Sequence, residues 1–277
     1  MILLLIQGIK YDIRRKEIKE RKRLGRERKK KMNEFIDMEF FSLLSNQSWF
    51  AKWGEKFYNA WINLSGWKLF LDGLKVTLVV SAVAVLIGVL VGFILALMKL
   101  TEVKKGRRTI LSTIAGIYID IIRGTPSLVQ LMIMYFIVFK SQASFTAGML
   151  AFGLNSAAYV AEIIRGGILS VNKGQMEAGR SLGLSYGMTM RYVIVPQAIK
   201  TILPALGNEF IVLIKETSVI SFIGVADIMK AGQFLISRTY EPYVPYISIA
   251  VIYYIIIKIL SLLLNAFERR LRKNDTR

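Results

Sequence analysis

The chain has no cysteine and no histidine among its 277 residues. Without cysteine there are no disulfides and no thiolate metal sites. Without histidine there is no imidazole ligand, and no side chain whose ordinary pKa lies near neutrality. A Ser-His-Asp triad is therefore impossible, and hydrolase readings lose their usual general base. Proline is scarce, with five residues, so few points interrupt a helix. Acidic residues number 19 against 38 basic ones, a formal charge of +19.

The abundant class is apolar. Hydrophobic residues make up 54% of the chain, and they are concentrated in blocks. These are Val76 to Met98, Ile110 to Ile122 leading into Ser127 to Phe139, Phe145 to Ile164, Ile202 to Ile214 continuing beyond Lys215 to Ile228, and Val244 to Phe267. Each approaches the roughly 20 residues a helix needs to cross a hydrocarbon core. The expectation is an all-α, polytopic membrane protein with five transmembrane helices and lipid as solvent.

The charge is placed accordingly. Residues 1–31 hold 13 Lys and Arg against four acidic residues. The remaining basic residues gather at span ends, in Lys99 to Arg108, in Ser170 to Lys200 and in the tail from Arg269 to Arg277. By the excess of Lys and Arg in cytoplasmic loops, connections one and three and the C-terminus are cytoplasmic. Five spans then put the N-terminus outside. The basic residues 1–31 conflict with that side. Either translation starts at Met32, or the prefix is an added cytoplasmic or surface-bound arm. Residues 32–71 form an aromatic-rich segment in which Trp49, Trp53, Phe57 and Trp61 recur every four residues. It reads as an amphipathic helix in the outer interface, or as a stripe packed on the bundle. Residues 72–268 form the transmembrane domain and 269–277 a basic cytoplasmic tail.

The third connection, 170–200, is too long for a turn. Gln175 to Leu182 favours a short helix stopped by Gly183, and Met188 to Val195 favours a second one closed by Pro196. Ala178 and Gly179 permit close approach of a partner, and Glu177 offers it a charge. Glu177-Ala178-Gly179, with Gly183 and Pro196 at their spacings, resembles the EAA loop of permease subunits in ATP-binding-cassette importers. Arg123 to Gln130, Ala158 to Gly167, Pro196 to Ala198, Asn208 and Lys215 to Ser218 narrow the resemblance to polar-amino-acid permeases. It covers roughly Leu71 to Phe267. The third small residue is Gly where the pattern has Ala, and Val193 and Val195 replace Ile and Leu.

The resemblance implies a second permease subunit, identical or not, two cytoplasmic ATPase subunits and an extracytoplasmic amino-acid-binding protein. It also implies a bacterial-type cytoplasmic membrane. ATP and Mg would be held by the ATPases, and this chain would be non-catalytic, with no cofactor of its own. No Gly-x-x-x-x-Gly-Lys-Ser/Thr loop occurs in it.

Ionisable groups at membrane depth are costly and so are functional candidates. Asn155, Tyr159 and Glu162 share one helix face, and Ser156 adjoins them. Glu162 is an acceptor for a substrate ammonium, or a partner for Arg165 or Arg123. Asn208, Lys215 and Ser218 share a face of the fourth span. There Lys215 answers either Glu216 or a substrate carboxylate. Gly124 and Pro126 break the second span, as a pathway feature or as a simple bend at the membrane surface. A passive or ion-coupled transporter is the competing function. Nucleic-acid binding through residues 10–31 would leave the EAA-like segment unexplained.

Overall fold

The computed structural model describes residues 47–273, together with Gly25 and Lys29–Lys31. The expectations for the start at Met32 and for the basic prefix fall outside the described residues. Two compact units divide at Tyr58 and Asn59. In the first, α1 (Gln47–Tyr58) is helical, and Trp53 stacks on Phe57 with ring centroids 6.3 Å apart. Trp61 lies in the second unit, in a π turn (Asn59–Asn63). Its indole N–H donates to Ser248 Oγ at 2.9 Å, and its ring packs 5.4 Å from that of Phe70. At Trp61, then, the aromatic stripe packs on the bundle.

The regular structure of the second unit is all helix among the described residues. α2 (Gly66–Lys105) has 40 residues, about 60 Å of helix at 1.5 Å per residue. It begins before the expected boundary at residue 72. α3 (Ile110–Gly124) and α4 (Ser127–Val138) are an apolar helix pair bent by 104° at the intervening break, the geometry of a broken span or of a re-entrant loop. α5 (Ser144–Leu169) is followed by the short α6 (Lys173–Ser181). α7 (Tyr186–Ile223) runs 38 residues. α8 (Ile228–Thr239) and α9 (Tyr243–Lys273) complete the chain. Four helices are long and apolar enough to cross a membrane, or five if the bent pair counts as one span.

Small residues set the spacing of α2 and α5. A β-carbon on Gly92 would lie 2.7 Å from the Ala157 carbonyl oxygen, and one on Gly88 would lie 2.8 Å from Ser156 Oγ. Apolar helices in lipid gain nothing from excluding water between them, so close backbone approach is what holds them. The two helices run parallel: Val80 and Ala84 cluster with Ala151 and Phe152, and Leu95 and Ala96 with Ala161 and Ile164. α7 runs antiparallel to both, with Thr217 beside Ser81, Glu209 beside Ser156, and Ile202 against Gly167. α9 returns against α7, with Leu264 against Gly207. The C-terminal ends of α2, α5 and α9 therefore share one end of the bundle. Lys99 to Arg108, α6 and Arg269 all gather there. Leu86, Leu90, Ile94, Ile259 and Leu263 are more than half exposed on the outside. That distribution suits a lipid solvent and is the reverse of a water-soluble surface.

One expectation is corrected. Pro196 does not close a second short helix. The segment from Met188 to Val195 belongs to α7, which passes through Pro196 without ending. A π turn (Met190–Ile194) ends with only Val195 between it and the proline, and the Val195 N–H donates to the Met190 carbonyl. The wider turn admits a ring that an α-helical ladder would exclude. The connection proper is thus 170–185, shorter than 170–200.

Candidate functional site

Three features stand out: a knob at the basic end, a break in the second span, and a row of polar side chains on α5.

The knob is α6. Asn172 caps it, its side chain accepting from the Gly174 N–H at 2.8 Å. Gly183 ends it with φ +82, the left-handed conformation expected at this corner. The Leu184 N–H donates to the Gly179 carbonyl at 3.1 Å and the Gly183 N–H to that of Arg180 at 3.0 Å. These two bonds are those of a Schellman motif, and a residue with a β-carbon pays for that backbone. Gly179 is buried, and a β-carbon on it would lie 2.5 Å from Thr189 Cγ2. α6 is thereby seated directly on the start of α7. Glu177, Ala178, Arg180 and Leu182 are left on the surface, and Leu182 is 82% exposed. Pro196 lies further along α7 and is not part of the knob.

The break follows from Pro126. Thr125 is extended, with φ −121 and ψ 145, and so is Pro126, with ψ 136. Extended backbone before a proline is what its ring demands. Gly124 ends α3 and makes no close approach to any other element. In an unbroken helix the residue at 126 would donate its N–H to the Ile122 carbonyl, and proline has none. That carbonyl instead accepts from the Gln130 side-chain amide at 2.7 Å. The same amide nitrogen lies 2.8 Å from Thr125 Oγ1 and 3.2 Å from the Thr125 carbonyl. Gln130 carries the segment resemblance, but its capping role was not visible: it depends on a chain reversal that periodicity does not encode.

The polar row on α5 is largely committed to protein partners. Asn155 is 4% exposed and its amide donates to Gln130 Oε1 at 2.9 Å. Ser156 is fully buried and donates to Glu209 Oε1 at 2.9 Å. Tyr159 has the Arg123 guanidinium 5.5 Å above its ring. Glu162 is paired with Arg165 through Oε2 at 2.6 Å, one of the two partners weighed for it. On α7, Asn208 and Lys215 are exposed and Ser218 is half-buried. Lys215 forms no ion pair among the described residues, with Glu216 or otherwise. The structure brings together Asn155, Gln130 and the break. It joins Ser156 to Glu209, and it does not join the α5 set to Asn208, Lys215 and Ser218. Glu209, on the face next to Asn208, is the buried carboxylate that the sequence left without a role.

Known proteins agree with this architecture. Residues 84–273 match the family described as binding-protein-dependent transport system inner membrane component. The arginine transport system permease protein ArtQ of Bacillus subtilis is 40% identical over 209 residues, covering 74% of this chain and 93% of its own. The glutamine transport system permease protein GlnP of Escherichia coli K12 is 38% identical over the same length and shares. A solved amino acid ABC transporter with histidines superposes with a TM-score of 0.69 at 50% identity, over 75% of this chain and 96% of the other. The MetNI methionine ABC transporter in an inward-facing form shares the fold, with a TM-score of 0.63 at 20% identity, over 73% and 96%. A membrane bundle with a glycine-cornered knob at its basic end, matched over these lengths, places the chain in the family of binding-protein-dependent transport system inner membrane components.

Proposed function

We propose that this chain is the translocation subunit of an ATP-driven importer of polar amino acids. It takes substrate from an extracytoplasmic binding protein and acts beside a second permease subunit. ATP and Mg belong to a partner ATPase that docks on α6 from the cytoplasm. The observation that carries the reading is the build of α6: a capped helix with a Gly183 corner, packed on α7 through Gly179 and presenting Glu177 and Ala178 outward. A force applied to such a knob reaches the span without being absorbed by a loop. The names of the relatives, for arginine and for glutamine transport, support an amino-acid substrate.

Substrate contact falls to polar groups that the bundle leaves open. Asn208 and Lys215 on α7 fit that role, with Ser218 about one turn beyond Lys215. Lys215 would answer a substrate carboxylate. Asn155, Ser156 and Glu162 already hold protein partners, so contact through them requires exchange of those bonds.

The test is reconstitution of the chain with its ATPase and binding protein in lipid. Uptake of a panel of polar amino acids is expected to require ATP. Gly183→Asp should remain in the membrane yet lose stimulation of ATP hydrolysis by loaded binding protein, with uptake falling at least about tenfold. The strain of a β-carbon at that φ is about 1–2 kcal/mol, and the larger side chain also obstructs docking. Wild-type stimulation and uptake at equal abundance would remove α6 from the mechanism.

A further inference from the structure

We infer that Gln130 is a positioning residue that keeps the second span broken, and that Asn155 ties this break to the helix leading into the coupling knob. This rests on the coupling role proposed for α6. The geometry has three parts. First, Pro126 removes the donor that Ile122 would have had, and the Gln130 amide supplies a substitute at 2.7 Å. Second, one amide group also serves Thr125, so both residues preceding the turn into α4 are held by a single side chain from that helix. An unmet carbonyl has no water to turn to inside a membrane, so such a substitute is needed. Third, the far end of the same amide, Oε1, accepts from Asn155 on α5 at 2.9 Å.

Asn155 is almost fully buried, so its amide is aimed at Gln130 and not at a passing ligand. From Asn155, α5 runs unbroken to Leu169, about 21 Å of helix. α6 begins four residues later, at Lys173. The knob packs on α7 through Gly179 and α7 packs on α5 at Gly167, so a packed path leads from the knob through α7 to α5, the Gln130 amide and the bend. The two bonds divide the labour. Gln130 to Ile122 fixes the shape of the break, and Asn155 to Gln130 fixes where the break sits when α5 moves. Polar groups at this depth thus act within the bundle, as a strut between two spans.

The absence of cysteine makes the test direct. Cysteines are introduced at Ile117 and Phe136, on opposite sides of the break and each 55% exposed. They are spin-labelled, and their distance is measured by pulsed electron resonance in the complete complex in nanodiscs. Wild type should give a narrow distribution. Gln130→Ala should broaden it and lower uptake by about tenfold, the scale of one lost bond to a desolvated carbonyl. Pro126→Ala alone should keep the bent distance, because Gln130 still satisfies Ile122. Pro126→Ala with Gln130→Ala should shift the distance to that of a straight helix, because the new backbone N–H then has an open acceptor. Asn155→Ala should keep the narrow bent distance while uptake falls and ATP hydrolysis continues. An unchanged distribution in Gln130→Ala, or a straight helix in Pro126→Ala alone, overturns the role of Gln130. Normal uptake by Asn155→Ala overturns the tie to α5. The label distances do not depend on transport, so they report on the strut even if the importer reading fails.

Discussion

At the scale of single residues, the informative groups are those whose chemistry conflicts with their surroundings. Asp227 is one. It lies between α7 and α8, is fully buried, and caps α8 by accepting from the Lys230 N–H at 2.9 Å. Its other oxygen has no hydrogen-bond partner among the described residues. Burial pushes its carboxyl up to about 6, against the opposing pull of the backbone N–H groups and Lys230, with Tyr253 of α9 facing it. A carboxyl raised above its unfolded value is a liability when ionised, so the sign runs against the usual aspartate. The cost is present above pH 6, shrinks as pH falls through 6, and is gone near the unfolded value of 3.8. Asn caps a helix as well as Asp does. Asp227→Asn is therefore expected to stabilise the protein at pH 7.5 by about 1–3 kcal/mol, with the gain vanishing toward pH 4. Thermal unfolding in detergent at several pH values measures it, and a pH-independent difference between the two proteins would refute the account.

At the scale of helices, packing and interruption do different jobs. α2 and α5 are joined by small residues in register, and Gly92 faces backbone as well as side chain. The Ala157 carbonyl cannot move aside without disturbing α5, so Gly92→Ala should cost about 1–3 kcal/mol. Retained melting temperature in that variant would show that the two helices slide freely. The interruptions are local solutions to proline. At Pro126 the chain turns, and a side chain replaces the missing donor. At Pro196 the helix widens into a π turn and continues. There the Gln197 side chain donates to the Val193 carbonyl at 2.9 Å. The difference is that Thr125 takes an extended conformation, whereas Val195 stays helical at φ −59 and ψ −44.

At the scale of the molecule, orientation decides function. One end of the bundle holds Lys99 to Arg108, α6 and the basic C-terminal helix end. The other holds the connection between α4 and α5, with Lys140 and Ser141 at positive φ. If the basic end is cytoplasmic, an ATPase reaches α6 and a binding protein reaches the opposite face. Single cysteines in the cysteine-free chain test this. Ser141→Cys should react with a membrane-impermeant maleimide on intact cells, whereas Ser181→Cys should react only after permeabilisation. The reverse pattern would leave α6 out of reach of any cytoplasmic partner.

Fold class and the long apolar helices were legible in the sequence, because the length and apolarity of a spanning helix are constraints on composition and need no tertiary contact. The break at Gly124 and Pro126 was legible too, since proline acts through its own ring and missing hydrogen. So was the left-handed corner at Gly183, where a helix ends on glycine. Partnership was not legible. A shared helix face put Asn155, Tyr159 and Glu162 together, but the direction of a face does not say what lies opposite. The tertiary structure assigned Gln130 to Asn155 and Glu209 to Ser156, and of the two partners the sequence offered Glu162 it took Arg165, three residues on along the same helix. It also decided that Pro196 is passed through and that Asp227 is buried. The tertiary pairings join residues 25 and 53 positions apart, and desolvated polar groups take whichever partner the packing brings within reach.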